Sequence, residues 1–97
     1  MKAIILREKG SADKLKLEEA ETPKINDDEV LVKVKAASVN HLDIWIREGN
    51  VPPKYPIILG CEGAGDIIEV GNNVKNFKVN DMVVVLPTIP CWKCEFC

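Results

Sequence analysis

The stretch EVLVKVKAASVNHLDIWIREG, residues 29–49, decides the fold, because it changes hydrophobic period part-way along. Val30, Val32, Val34 and Ala36 alternate with Leu31, Lys33, Lys35 and Ala37, the period of a β-strand with one buried face. From Asn40 the spacing becomes that of a helix: Leu42, Trp45 and Ile46 fall at i, i+3 and i+4. Asn40 is suited to cap the start and Gly49 to end it. The sequence therefore predicts a strand running into a short helix over 40–48.

Upstream, Met1–Leu6 and the alternating LKLEE of 15–19 read as short strands, separated from the central one by a turn-rich connector holding Pro23, Asn26, Asp27 and Asp28. Downstream comes a loop with Pro52, Pro53 and Pro56. Gly60, Gly63 and Gly65 then mark backbone that needs positive φ or a close approach. Asp66–Val70 is expected as a strand, Gly71-Asn72-Asn73 as a turn, and Asp81–Leu86 as a buried strand, its run being continuously apolar. Short strands at this spacing predict a mainly β barrel or sandwich with helical insertions.

Ninety-seven residues, 46% of them hydrophobic, make one domain with a modest core. Thirteen Lys and Arg against 15 Asp and Glu give a net charge of −2 with the signs interspersed, which implies no nucleic-acid or anionic-membrane partner. No apolar run approaches the roughly 20 residues of a membrane span, and the opening MKAIILREKG does not read as a signal peptide. A cytoplasmic location is the expectation.

Three of the four cysteines fall in the last seven residues, as Cys91-Trp92-Lys93-Cys94-Glu95-Phe96-Cys97. The C-x2-C-x2-C spacing lets three thiolates surround one tetrahedral ion, so Cys91, Cys94 and Cys97 are the expected ligands of a structural zinc. A closed structural site takes four. Either Cys61 folds over to complete the set or the fourth ligand lies past residue 97. Repulsion between up to three thiolates is expected to leave a metal-free lobe without one fixed conformation, while the strands before Leu86 are expected to fold without metal.

The ordered blocks MKAIIL, EVLVKVKAASVNHLDIWIREG, ILGCEGAGDIIEVG (58–71), VNDMVVV (79–85) and PCWKCEFC (90–97) resemble the medium-chain dehydrogenase/reductase family across the whole chain. The resemblance implies that residues 1–97 are a GroES-like β-barrel, the N-terminal domain of an alcohol dehydrogenase-type oxidoreductase. Residues 87–97 would be the truncated start of its structural zinc lobe. A Rossmann domain that binds NAD or NADP would lie outside this chain. Gly60, Gly63 and Gly65 give G-x-x-G-x-G, not the dinucleotide fingerprint, so the cofactor-binding residues stay unassigned.

The resemblance also carries site residues. Where the zinc alcohol dehydrogenases place a cysteine ligand, this chain has Asn40; the hydroxyl residue two positions later is Leu42; and the ligating histidine falls on Cys61, with the following glutamate kept as Glu62. A proton-relaying histidine of some members falls on Trp45. The pattern of Val39, Asn40, Asp43, Arg47 and Gly49 instead resembles the zinc-independent quinone reductases, in which hydride passes without a Lewis acid. Asn40, Asp43, Cys61 and Glu62 are thus the catalytic candidates. Each has a plainer reading: Asn40 as a cap, Asp43 as a dipole partner in the first helical turn, Cys61 as a small buried hydrophobe. His41, the only histidine, matches no family position. The implied activity is hydride transfer between nicotinamide and a small carbonyl, quinone or alcohol, in a parent that forms homo-oligomers. A zinc alcohol dehydrogenase with altered ligands, and a freestanding zinc-stabilised β module without catalysis, remain open alternatives.

Overall fold

The residue 30–37 alternation forms one of two eight-residue strands in the computed structural model, which describes all 97 residues. Elements run β1 (Lys2–Leu6), a 3-10 turn (Ala12–Lys14), β2 (Leu15–Glu19), β3 (Val30–Ala37), α1 (His41–Glu48), β4 (Ile57–Ile58), β5 (Gly63–Val70) and β6 (Met82–Val84). All strand pairs are antiparallel. One sheet has the order β2-β1-β4 and the other β3-β5-β6. The mainly β expectation holds; the strands form two separate three-stranded sheets and do not close into one barrel.

In the first sheet β1 pairs with β2 in unbroken register from Lys2↔Glu19 to Leu6↔Leu15. Ile5 and Leu6 at its inner end are buried. The α-amino group of Met1 donates to the Ala20 carbonyl at 2.8 Å, so the ladder reaches the first residue. In the second sheet β3 and β5 pair from Val30↔Val70 to Ala37↔Gly63, with irregularities after Leu31 and after Val34. Val34, Gly65 and Val83 are cross-strand partners and share the inner face with fully buried Ile67, two residues beyond Gly65.

Two glycines meet the conformational demand read from the sequence. Gly60 has φ 111°, the left-handed region that side chains avoid. At Gly65 a Cβ would overlap the Lys33 carbonyl oxygen and lie 3.0 Å from the Val34 Cα, so only glycine lets β3 and β5 approach here. Gly63 needs neither condition, since a Cβ there meets nothing nearer than 3.6 Å.

Three expectations are corrected. The strand expected at Asp66–Val70 begins at Gly63, because the glycine block is itself part of the ladder. The run expected as a buried strand at Asp81–Leu86 pairs only over Met82–Val84, and Met82, Val84 and Leu86 are 86%, 80% and 68% exposed. It lies at the end of its sheet with nothing beyond it. Trp45, whose helical spacing with Leu42 and Ile46 implied an apolar face turned inward, is about half exposed and stands edge-on to His41, ring centroids 4.8 Å apart. The two-residue β4 was not foreseen. No helix is long and apolar enough to cross a membrane.

Candidate functional site

The site is built where β3 turns into α1. Asn40 holds extended backbone angles (φ −113°, ψ 161°) as the helix N-cap, and Gly49 ends the helix at φ 90° with its N–H on the Ile46 carbonyl at 3.1 Å. Both caps are those read from the sequence. Asp43, in the first turn, is buried, and its carboxylate has two partners. Oδ2 accepts the Asn40 backbone N–H at 2.9 Å, the carboxylate half of a capping box. Oδ1 accepts the backbone N–H of Gly60 at 3.0 Å. One side chain thus ties the helix start to the bend before β5.

That tie sets Cys61 and Glu62 beside Asn40. The Asn40 amide Nδ2 donates to Cys61 Sγ at 3.7 Å. The Ser38 hydroxyl donates to Glu62 Oε2 at 2.5 Å. Ser38 and then Asn40 hold the Glu62 carboxyl below the usual carboxylate range, since both donate to its charged form. The four candidates read from the sequence therefore come together, and the structure adds Ser38, which no motif singled out. Its only sequence signal is a hydroxyl two residues before the cap.

Arg47 and His41 lie outside this group. Arg47 Nε donates to the Gly10 carbonyl at 3.2 Å, and Gly10 N–H returns a bond to the Arg47 carbonyl at 2.8 Å. Arg47 therefore clips the helix end to the β1–β2 connection. His41 is exposed against Trp45.

Can the cluster hold a catalytic metal? Such zinc sites take three protein ligands from cysteine, histidine or carboxylate, with one position open. Here Asp43, Cys61 and Glu62 are of those types, but Asp43 gives both oxygens to backbone N–H groups and the three ligand atoms do not converge on one point. Asn40 presents an amide N–H donor to the sulfur, and Glu62 is engaged by Ser38. These residues do not fit a three-ligand zinc site.

The C-terminal lobe does fit a metal. The Sγ atoms of Cys91 and Cys94 are 3.4 Å apart, those of Cys94 and Cys97 are 3.2 Å apart, and all three lie within 4.8 Å of one another. A tetrahedral ion with Zn–S bonds of about 2.3 Å needs sulfurs about 3.8 Å apart, so a small adjustment closes three corners. Cys61 is not part of this group. Trp92, at φ 61°, turns the chain so that the Lys93 N–H donates to Cys91 Sγ at 3.4 Å. That N–H, and then the thiols of Cys97 and Cys94, push the Cys91 thiol down to about 7. For Cys97 the Cys91 backbone acts to lower the value, but the neighbouring thiols of Cys94 and Cys91 outweigh it and the net direction is up. In metal-free protein near neutral pH, Cys91 is therefore expected to be alkylated by iodoacetamide well before Cys97, as the thiolate is the nucleophile. Peptide mapping over a time course reads the order; equal rates would contradict it.

Between the sheets and α1 lies an apolar cavity of about 560 Å³, lined in part by Ile4, Val34, Ile44, Ile58 and Val85, with Ser38, Asp43 and Glu62 at its polar end.

Comparison with known proteins matches these features to relatives. Residues 26–97 match the family model described as the alcohol dehydrogenase GroES-like domain. An NAD-dependent alcohol dehydrogenase of Sulfolobus acidocaldarius is 38% identical over 104 residues, covering all of this chain and 30% of the relative. An acryloyl-coenzyme A reductase of Sulfurisphaera tokodaii is 43% identical over 98 residues, again covering the whole chain and 29% of the relative. The structure of Escherichia coli quinone oxidoreductase complexed with NADPH superposes with a TM-score of 0.83 at 34% identity, over 87% of this chain and 26% of that one. The chain thus spans less than a third of each of these relatives. With the motif order, the antiparallel sheets and the family match in agreement, the chain belongs to the alcohol dehydrogenase GroES-like domain family, within the medium-chain dehydrogenase/reductase enzymes.

Proposed function

We propose that these 97 residues are the substrate side of an NAD(P)-dependent oxidoreductase that moves hydride between nicotinamide and a small carbonyl, quinone or alcohol without a catalytic zinc. The observation that carries this is the donor set at the start of α1. Asn40 stands where a zinc ligand would be needed, and it donates to Cys61. The structural metal belongs to Cys91, Cys94 and Cys97, with a fourth ligand from outside the group.

In this reading the bound nicotinamide supplies or accepts the hydride, and a parent longer than this chain holds it in place. The chain's own residues do the rest. The Asn40 amide can turn the N–H of its long 3.7 Å bond from Cys61 to the substrate oxygen, keeping the other on Glu62, and so stabilise the negative charge that grows there as hydride arrives. The Ser38 hydroxyl, bonded to the ionised Glu62, is the nearest group placed to give or take the proton of that oxygen. Asp43 touches no substrate and positions the other groups through its two backbone bonds. The apolar cavity wall favours substrates with a hydrocarbon body next to the carbonyl.

The test is a turnover assay on the full-length parent with NADH and NADPH across carbonyls, quinones and alcohols. Asn40→Ala is expected to lower kcat by about a hundredfold, the usual loss of one oxyanion donor. Cys61→Ser should leave the rate within a fewfold of the parent. No turnover on any substrate would remove the oxidoreductase reading. Abolition by Cys61→Ser, reversed by no added cofactor but zinc, would favour a metal-dependent enzyme.

A further inference from the structure

Three residues lining the cavity carry charge: Asp43, Arg47 and Glu62. Asp43 is buried and gives both carboxylate oxygens to backbone N–H groups. Arg47 turns to the Gly10 carbonyl and to Glu48. The walls from β1, β2, β4 and the residue after β6 offer only Ile4, Leu15, Ile58 and Val85, all apolar. Glu62 is the exception, an ionisable group that lines the cavity and is also exposed to solvent.

Its partner is Ser38, another lining residue. The Ser38 hydroxyl donates to Glu62 Oε2 at 2.5 Å, in the short range of bonds to a charged oxygen. Donation from Ser38 and Asn40 favours the ionised carboxylate, so Glu62 is a charged acceptor across the neutral range. A hydroxyl both donates and accepts, which lets Ser38 pass a proton on without keeping a charge.

We propose that Ser38 and Glu62 form a proton relay in which Glu62, reached through Ser38, is the group that finally takes the substrate proton and hands it to water. The relay rests on the oxidoreductase activity proposed for the parent. In alcohol oxidation the substrate O–H bond breaks toward Ser38 Oγ, and the Ser38 proton passes to Glu62 Oε2. The O–H electron pair becomes the second C–O bond, and the C–H pair leaves as hydride to the nicotinamide. Glu62 then loses its proton to solvent. Carbonyl reduction runs the same steps backwards and starts from protonated Glu62.

The two directions therefore differ in pH dependence. Oxidation needs charged Glu62, the form present throughout about pH 6–9, so its rate should be level there. Reduction needs neutral Glu62, whose share falls about tenfold per pH unit, and its rate should fall in step.

Single-turnover hydride transfer in the full-length parent, followed by nicotinamide absorbance with an alcohol and its carbonyl, tests this. The level and the falling profile are expected, together with a rate that varies quadratically with the deuterium fraction of the solvent, as two protons in flight require. Glu62→Gln keeps an acceptor for Ser38 but cannot take a proton. It should slow oxidation at least about a hundredfold with substrate affinity within a fewfold, and Glu62→Asp should recover part of the rate. Ser38→Ala should cost as much, with little further loss in the double variant. Should Glu62→Gln fail to fold, the profiles and deuterium dependence of the unaltered protein decide. A folded Glu62→Gln enzyme within about threefold of the parent rate overturns the relay. So does a linear deuterium dependence, or a bend in the oxidation profile near neutral pH. In each of those cases turnover by the unaltered parent leaves the oxidoreductase reading standing; no turnover on any substrate removes that reading and the relay with it.

Discussion

Replacing Asp43 by alanine is expected to destabilise the fold by about 3–5 kcal/mol, because two backbone N–H groups lose a charged acceptor in a half-buried setting. That is a large share of the roughly 5–15 kcal/mol that holds a domain of this size together. The small core makes the low end of that range the relevant one, since beyond Asp43 and Gly65 only Ile5, Leu6 and Ile67 are buried. Asp43→Asn keeps one carbonyl oxygen and turns an amide N–H toward the other donor, so it is expected to lose about half as much. Urea unfolding followed by circular dichroism measures both. Equal, small losses below about 1 kcal/mol would show that water satisfies Asn40 and Gly60 and that the tie is dispensable. The same experiment bears on the site, because the bend that presents Cys61 and Glu62 is held to α1 through the Gly60 bond.

Gly65→Ala is expected to have the larger effect. Its Cβ would overlap the Lys33 carbonyl oxygen and press on Val34, both backbone of the neighbouring strand. A flexible side chain could move aside, but a ladder carbonyl cannot shift without parting β3 from β5. Those strands carry fully buried Ile67 and most of the second sheet's register. Such overpacking costs about 1–3 kcal/mol in a core that can relax, and more where backbone must move. The variant is therefore expected to lose the β3–β5 ladder or to accumulate unfolded. Gly63→Ala, in the same strand, meets only ordinary contacts and should be nearly neutral. Circular dichroism and amide exchange of Val32 and Val34 distinguish the two. A folded, protected Gly65→Ala chain would show that the strands are less closely joined than described.

The contrast between these two glycines shows how far the sequence could be read. Spacing marked all three of Gly60, Gly63 and Gly65 as special, but it could not separate a positive φ, a close approach and a position with room to spare. That distinction depends on which strand lies alongside. β3 and α1 were legible because their periods, 2 and 3.6, are intrinsic to the chain, and because Asn40 and Gly49 carry the cap chemistry themselves. β6 was legible as a strand and misread as buried, since a continuous apolar run looks the same whether it is covered or waits at an edge. β4 escaped notice because two residues, Ile57 and Ile58, have no period; they pair only because β1 presents Ile5 and Leu6.

The site divides in the same way. Cys91, Cys94 and Cys97 were readable because their spacing alone brings the thiols together. The grouping of Asn40, Asp43, Cys61 and Glu62 came from resemblance, not spacing, for 21 residues separate Asn40 from Cys61. What no pattern carried was the role each plays: Asp43 turned inward on two backbone donors, and Ser38 engaged with Glu62.

Zinc titration of the 97-residue chain, followed residue by residue by amide NMR, decides between a metal held by the cysteine lobe and one held at the head of α1. The account predicts one zinc per chain, bound with thiolate charge-transfer absorption. Shifts should be confined to residues after about Pro87, with binding lost in Cys94→Ser and unchanged in Cys61→Ser; chelation should reverse the shifts and leave the sheets folded. Two zinc ions per chain, or shifts at Asn40, Cys61 and Glu62 that vanish in Cys61→Ser, would contradict it.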